Sequence, residues 1–349
     1  MTERPLRVAV VGCGRVSRTA HYSAIQQNPD YEFVAVCDVD KSRADEWSRK
    51  CNVGAYYSVE DLLANEQLDL VSVNVPNGYH PAIARKFAEC GVNVMSEKPL
   101  GMRVNEVDEL IDFCDRKGVK LFTVLQNRFN ATNQLLKAAV ERGRFGRLLN
   151  VMVTMRWHRG LGYYTEDNGW RGKRNLAGGV FTNQAVHYVD TMQWLIGAPA
   201  LTCYARMATA VHPVEVETHG SAIISFASDV IGSLNLSCIN YPEDREGSIV
   251  LLGERGTVKV GGKAMNKILE WDFDSSDPMD ELAQQSDYEP PTVYGFGHNE
   301  MYARIGAVLR RAEAVEVPDG REGRKSVALL EALYESAATG KVVQVAAAR

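Results

Sequence analysis

The stretch that decides the fold is Leu6-Arg7-Val8-Ala9-Val10-Val11-Gly12-Cys13-Gly14-Arg15-Val16-Ser17, read together with Glu32–Asp38. The β-branched run Leu6–Val11 has the near-continuous apolar character of a strand buried on both faces. Gly12 and Gly14 follow it directly and precede a helical pattern. The first glycine permits a tight turn, and the second lets backbone N–H groups approach a pyrophosphate at a helix amino terminus. Ser17 stands where a third glycine would let helix and strand pack closest, so the two are expected slightly farther apart. Arg15 and Val16 complete the predicted phosphate loop. The run Glu32–Asp38 ends in a carboxylate, which can accept hydrogen bonds from adenosine ribose hydroxyls and repels a 2′-phosphate. Asp38 therefore points to NAD rather than NADP, with Lys41 and Arg43 close behind as a partial counterweight. The alternative for Asp38 is a cap on the next helix.

Working outward, Leu68–Val75, Val92–Ser96 and Lys120–Gln126 repeat the apolar, β-branched character, with helical patterns Pro81–Cys90 and Asn105–Lys117 among them. In the second, Val107, Leu110, Ile111 and Cys114 recur at spacings of three and four, on one helix face. Ser58-Val59-Glu60-Asp61 has the form of a capping box opening a helix Glu60–Asn65. Strand, helix, strand in repetition predicts a doubly wound α/β domain. After a helix Asn130–Arg142 the character changes. Leu149–Trp157, Leu201–Ala208, Ser221–Ala227, Ile231–Ile239, Ser248–Leu252 and Thr257–Val260 read as strands joined by short turns, which predicts an antiparallel sheet. Val180–Ile196, His298–Arg311 and Lys325–Ala338 read as helices, and the acidic stretch Asp272–Pro291 as a surface loop.

The chain has 349 residues, a length that favours two domains. Lys and Arg number 39 and Asp and Glu 44, for a net charge of −5. That balance argues against an electrostatic nucleic-acid binder, which needs a basic footprint. The seven cysteines are scattered, with no C-x-x-C pair, so neither a disulfide framework nor a metal site is expected. Single thiols fit a reducing cytoplasm. Leu6–Val11 is too short and too early for a signal peptide, and no apolar run approaches the ~20 residues that span a bilayer. A cytoplasmic protein with no membrane partner is the expectation.

Two further segments carry chemistry. Glu97-Lys98-Pro99-Leu100 lies at the carboxyl end of a predicted strand, where ligands bind in open α/β sheets. Gly178-Gly179-Val180-Phe181-Thr182-Asn183-Gln184-Ala185-Val186-His187-Tyr188-Val189-Asp190 opens a predicted helix, in which Asn183 shares a face with His187 and with Asp190. Residues 156–174 hold five basic residues, Arg156, Arg159, Arg171, Lys173 and Arg174, against Glu166 and Asp167, interleaved with Trp157, Tyr163, Tyr164 and Trp170. Such a segment suits an anionic substrate, because arginine grips carboxylate or phosphate in bidentate fashion. A solvated loop is its plainer reading.

These motifs, in this order, resemble the Gfo/Idh/MocA oxidoreductases. The likeness runs over essentially the whole chain. It implies a Rossmann NAD-binding domain over 1–126, then an α/β domain with a large, open, mostly antiparallel sheet over 127–349, for substrate binding and oligomerisation. Leu125-Gln126-Asn127-Arg128-Phe129-Asn130, Tyr163-Tyr164, Trp170-Arg171-Gly172, Asn183-Gln184 and Tyr294-Gly295-Phe296-Gly297-His298 are similar to one subgroup, the bacterial 3-dehydrogenases of UDP-2-acetamido-2-deoxyglucuronic acid. These act in making diamino-uronic sugars for surface polysaccharide. Many family members carry Asp where this chain has Asn183, and the subgroup tolerates Asn.

The resemblance implies that Lys98 and His187 are catalytic, one taking the hydroxyl proton and the other supporting the oxygen, an assignment the sequence leaves open. A cis bond before Pro99 is also implied. NAD is the implied cofactor, held by Gly12, Gly14, Arg15, Val16, Asp38, Asn74, Pro76, Asn77, His80, Glu97, Lys98 and Gln126. Arg159, Tyr164, Trp170, Arg171, Asn183 and His187 are the expected contacts to a nucleotide sugar. His80 has helix initiation as its plainer role, and His298 is read either as binding or lining the neighbouring subunit or, more plainly, as capping its helix. A homotetramer through the carboxyl-terminal sheet and reoxidation of NADH by 2-oxoglutarate are further implications. The rival readings are a dehydrogenase of a free sugar or cyclitol such as myo-inositol, and a silent NAD-binding regulator.

Overall fold

The computed structural model describes residues 4–262, 264–289, 295–310 and 315–347. The chain forms two compact units, Met1–Val124 with His298–Arg324, and Leu125–Gly297 with Lys325–Arg349. A contiguous division at 126 misses the return of His298–Arg324 to the first unit. Long-range bonds account for that return. The Tyr31 hydroxyl donates to the Tyr302 carbonyl at 2.7 Å, Thr123 N–H donates to Pro318 O at 3.0 Å, and Arg324 grips Asp108 through Nε and Nη2.

In the first unit, strands β1 (Leu6–Val11), β2 (Tyr31–Cys37), β3 (Gly54–Tyr56), β4 (Leu70–Val73), β5 (Asn93–Ser96) and β6 (Leu121–Thr123) form a sheet in the order β3-β2-β1-β4-β5-β6. Every pair is parallel. The order reverses between β1 and β4, the crevice where open α/β sheets take ligands. All of β4 and the second half of β1 are buried, as unbroken apolar runs require when helices cover both faces. Helix Val104–Lys117 buries Val107, Leu110, Ile111 and Cys114, the face its spacing predicts, and Gly118 ends it at φ +67°. Ser58 caps helix Val59–Asn65 by accepting from Asp61 N–H. β3, a three-residue edge strand, had no apolar run to announce it.

The second unit is built on an eight-stranded mixed sheet. Its strands are β7 (Leu148–Arg156), β8 (Ala200–Ala208), β9 (His219–Phe226), β10 (Ile231–Ser237), β11 (Glu246–Gly253), β12 (Gly256–Gly261), β13 (Lys267–Phe273) and β14 (Val343–Gln344), in the order β13-β12-β11-β7-β10-β9-β8-β14. All pairs are antiparallel except β7 with β10. Along β8 and β9 burial alternates, so one face meets the core and the other is exposed. That core joins Val153, Met155, Leu234 and Leu251 from strands to Leu136, Val189, Met192, Leu329 and Leu333 from helices.

Two local expectations are corrected. Asp272–Pro291 is not a plain loop: it holds the end of β13 and helix Met279–Gln285, while Pro290 and Pro291 lie outside the described residues. Val180–Ile196 is not one α-helix: a π-helical turn, Val180–Gln184, precedes α-helix Val186–Ile196. Among the described residues, no helix is long and apolar enough to cross a membrane.

Candidate active site

In the first unit the glycine loop leaves β1 with Gly12 at φ +93°, and a Cβ there would lie 2.4 Å from the Asn74 carbonyl. Only glycine permits that approach of the β1 and β4 ends. Around Gly14 no heavy atom lies within 4 Å of where a Cβ would stand, which leaves open space against the loop's backbone. Ser17 fills the third motif position and donates to Gly12 O at 2.5 Å, tying the following turn to the loop. Arg15 is exposed and Val16 half-buried at the start of that turn.

Asp38 accepts from Cys13 N–H at 2.7 Å through Oδ2 and from Asp40 N–H at 2.9 Å through Oδ1. The cap on helix Lys41–Cys51 is Asp40, not Asp38, so the capping alternative is taken by another residue. Asn74 is buried, and its Nδ2 has no hydrogen-bond partner among the described residues. An open glycine cradle, a half-buried carboxylate beside it and an unsatisfied buried amide fit the phosphates, ribose and polar groups of a dinucleotide. Pro76 and Asn77 open a short 3-10 turn after β4. His80 is buried with Nδ1 2.7 Å from Pro99 O and Nε2 2.8 Å from Val75 O. Both ring nitrogens are thus engaged by backbone, and the ring clamps this loop to the Lys98-Pro99 segment. Burial lowers its pKa, against the pull of those two carbonyls.

Lys98 follows β5 directly, and the Lys98–Pro99 bond is cis, as the resemblance implied. Lys98 is part-exposed, and its N–H donates to Glu97 Oε2 at 3.1 Å. Burial lowers the Lys98 ammonium below the usual lysine range, and the Glu97 charge opposes that. Glu97 is 7% exposed. Its Oε1 lies 3.1 Å from His21 Nε2 and 3.8 Å from His298 Nε2. Burial pushes the Glu97 carboxyl up, but the two imidazoles and Lys98 outweigh it and hold it well below the carboxylate range. His21 was missed in the sequence, because a histidine inside a turn carries no motif of its own. His298, at the start of helix Gly297–Leu309, is buried against Glu97 and is not a plain exposed cap.

In the second unit His187 stands in the first turn of helix Val186–Ile196 and is half-buried. Its Nε2 is 3.5 Å from Gln126 Nε2, so Gln126 lies beside His187. Gln126 Oε1 has no hydrogen-bond partner among the described residues. Asp190 is buried and takes Arg128 Nε at 2.9 Å and Nη2 at 2.6 Å. That bidentate pair anchors the His187 helix. The preceding π turn is set by Gly179, where a Cβ would lie 2.1 Å from the Glu217 carboxylate. Glu217 Oε1 accepts from Phe181 N–H at 3.1 Å and from the Tyr334 hydroxyl at 2.7 Å. The Gly-Gly sequence therefore makes room for a buried carboxylate, and burial pushes its pKa up.

The basic segment folds around Tyr163. Its hydroxyl accepts from Asn183 Nδ2 at 3.1 Å and Gln184 Nε2 at 3.0 Å. The guanidinium carbons of Arg159 and Arg171 lie 5.5 and 5.2 Å from its ring centre. Arg171 also lies 4.9 Å over Trp170. Each arginine holds an acid, Asp244 at 3.0 Å for Arg159 and Asp167 at 2.9 Å for Arg171. Tyr164, expected to contact substrate, is buried and packed on His212, whereas Tyr163 is the tyrosine that meets the Asn183 and Gln184 amides.

Comparison with known proteins places these features in a family. Residues 6–125 match the Gfo/Idh/MocA model described as an oxidoreductase family NAD-binding Rossmann fold, and residues 137–345 match that family's C-terminal alpha/beta domain. The WlbA dehydrogenase of Bordetella pertussis, solved in complex with NADH and UDP-GlcNAcA, is 41% identical with a TM-score of 0.94, over 99% of each chain. The corresponding WlbA structure from Chromobacterium violaceum, also with NADH and UDP-GlcNAcA, is 39% identical with a TM-score of 0.92, over 99% of this chain and 97% of that one. D-glucoside 3-dehydrogenase of Escherichia coli is 31% identical over 58% of this chain and 57% of its own length.

Proposed function

The chain belongs to the Gfo/Idh/MocA oxidoreductases, dehydrogenases with an NAD-binding Rossmann domain, and on that premise we propose that it oxidises the C3 hydroxyl of UDP-2-acetamido-2-deoxyglucuronic acid to the 3-keto sugar. The observation that carries this reading is the end-to-end likeness, at 41% identity, to a dehydrogenase crystallised with NADH and UDP-GlcNAcA. The cluster of Arg159, Arg171, Trp170, Tyr163 and Asn183 supports it, since a uronic acid on a diphosphate needs cations and stacking surfaces.

Bound NAD supplies the hydride acceptor. Gly12 and Gly14 receive its pyrophosphate, Asp38 its adenosine ribose, and the amides of Asn74 and Gln126 its remaining polar groups. His187 takes the hydroxyl proton, since an imidazole titrates near neutral pH. The Lys98 ammonium donates to the substrate oxygen as negative charge develops there. The balance is secondary alcohol plus NAD giving ketone, NADH and a proton. The 3-keto product is an amine acceptor for a transaminase, which suits biosynthesis of a diacetamido-uronic acid for lipopolysaccharide O-antigen. Recycling of NADH by 2-oxoglutarate belongs to the same reading. So do a cytoplasmic location and a homotetramer formed through the exposed face of the second sheet.

The test is to mix protein, NAD and the nucleotide sugar, with and without 2-oxoglutarate, and follow NADH absorbance and the keto sugar by mass spectrometry. Keto-sugar formation that Lys98→Met and His187→Asn each abolish is the expected result. Turnover of myo-inositol or a free glucoside in its place would overturn the substrate. NAD binding with no turnover of any sugar would make the chain a regulator instead.

A further inference from the structure

Behind Lys98 lies a chain of buried polar groups drawn from distant parts of the first unit. The Tyr302 hydroxyl is 3.0 Å from His21 Nδ1, and His21 Nε2 is 3.1 Å from Glu97 Oε1. His21, Tyr302 and their neighbour Ser72 have no exposed surface. The Tyr302 hydroxyl can donate to Nδ1, whereas an ionised carboxylate can only accept. His21 therefore donates its Nε2–H to Glu97, while its Nδ1 meets the hydroxyls of Tyr302 and, at 3.2 Å, Ser72. His298 stacks edge-on against His21 with ring centres 5.0 Å apart, and its Nε2 approaches the same Glu97 oxygen at 3.8 Å. The other carboxylate oxygen accepts from the Lys98 backbone N–H at 3.1 Å. A carboxylate this deeply buried would ordinarily take up a proton. Here two imidazoles face one of its oxygens and the backbone N–H of Lys98, the next residue, binds the other, with His80 the further titratable group set against the Lys98 loop.

We propose that His21 and His298 are positioning residues for Lys98, acting through Glu97: the two imidazoles keep the Glu97 carboxylate an anion, and that fixed negative charge holds Lys98 as an ammonium. This rests on the proposed function only for the importance of Lys98, and not for the identity of the sugar. The arrangement gives a reason for the glutamate beside the lysine and for the return of residues from His298 onward to this unit. Its consequence has one sign whatever Lys98 does. An opposite charge nearby raises an ammonium's pKa by about 1–3 units, so loss of the Glu97 charge lowers the pH at which Lys98 gives up its proton.

The experiment titrates Lys98 directly, in the full chain without substrate. The rate of Lys98 acetylation by acetic anhydride is followed against pH by peptide mass spectrometry, with an exposed lysine as internal reference. In Glu97→Gln and His21→Phe, the midpoint is expected to fall by about one unit or more. In His21→Gln, whose side-chain amide can still donate, it is expected to stay within a few tenths of the parent value. An unmoved midpoint in folded Glu97→Gln and His21→Phe would overturn the proposal. Should His21→Phe fail to fold by circular dichroism, His298→Phe gives the same readout. The three ligand atoms of His21, Glu97 and His298 also lie within 4.8 Å of one another, close enough for a cation. Stoichiometric zinc that survives dialysis, and whose chelation shifts the Lys98 midpoint, would likewise overturn it. If instead Lys98→Met turns over the nucleotide sugar at the parent rate, the catalytic role proposed for Lys98 fails while this titration still stands.

Discussion

Asp38 sits where β2 ends and holds two backbone N–H groups, one from the glycine loop. Its position was legible in the sequence because an acid closing an apolar run beside a Gly-x-Gly has a specific task. Replacing it by Ala removes charge-assisted hydrogen bonds worth roughly 1.5–3 kcal/mol each. Asp38→Ala is therefore expected to weaken NAD at least about tenfold and to narrow the gap to NADP, read by equilibrium fluorescence titration with both dinucleotides. An unchanged NAD affinity would remove Asp38 from the cofactor site. Tyr163 was less legible. The sequence presents two adjacent tyrosines, and only the packing decides that Tyr164 faces His212 while Tyr163 faces the amides of Asn183 and Gln184. Arg171→Ala is expected to raise the KM for the nucleotide sugar tenfold or more, with NAD affinity unchanged, because an arginine–anion contact is worth about 1.5–3 kcal/mol. Equal KM values for parent and variant in steady-state assays would show that no anion is gripped there.

Helix Met279–Gln285 falls inside the stretch Asp272–Pro291 read as loop, and β13, of which only Asp272 and Phe273 lie in that stretch, was not read as a strand, because neither has a clean period. β13 is an edge strand with Glu270 and Asp272 among its apolar residues, and the helix is too short for an amphipathic stripe. What orders them is Asp280, which accepts from Arg144 at 2.6 Å, from Trp271 Nε1 at 2.8 Å and from Asp277 N–H at 2.8 Å. These bonds, Arg144 foremost, lower its pKa from 3.8 to about 2. The folded value lies below the unfolded one, so the stabilisation is fully present above about pH 4 and is lost as pH falls toward 2. With the side chain 33% exposed, solvent screening leaves about 1 kcal/mol. Asp280→Asn is expected to be less stable by that amount at pH 7, with the difference shrinking between pH 4 and pH 2, as measured by urea unfolding. A difference independent of pH would mean the charge contributes nothing. The π turn Val180–Gln184 was illegible for a related reason: Glu217 and Tyr334, which hold it, are far away in the chain.

Across the whole molecule, the second sheet presents exposed Tyr204 paired with Ile223, along with Leu201 and Ile231, on the face that its helices leave uncovered. An apolar sheet face of this kind marks an interaction surface. For the proposed homotetramer, Ile223→Asp is expected to lower the sedimentation coefficient to that of a smaller assembly. Parent-like sedimentation would place the contact elsewhere. The sequence by itself determined the parallel α/β half, its glycine loop and the placement of Asp38 and Lys98 just past strand ends, because strand period, turn chemistry and motif spacing are local properties. Tertiary structure alone decided that His298–Arg324 returns to the first unit, that β7 pairs parallel with β10, that Asp190 is a buried partner of Arg128 and that His21 meets Glu97. Each of these depends on groups far apart in the chain finding hydrogen-bond or charge partners once water is excluded, and no local pattern encodes that.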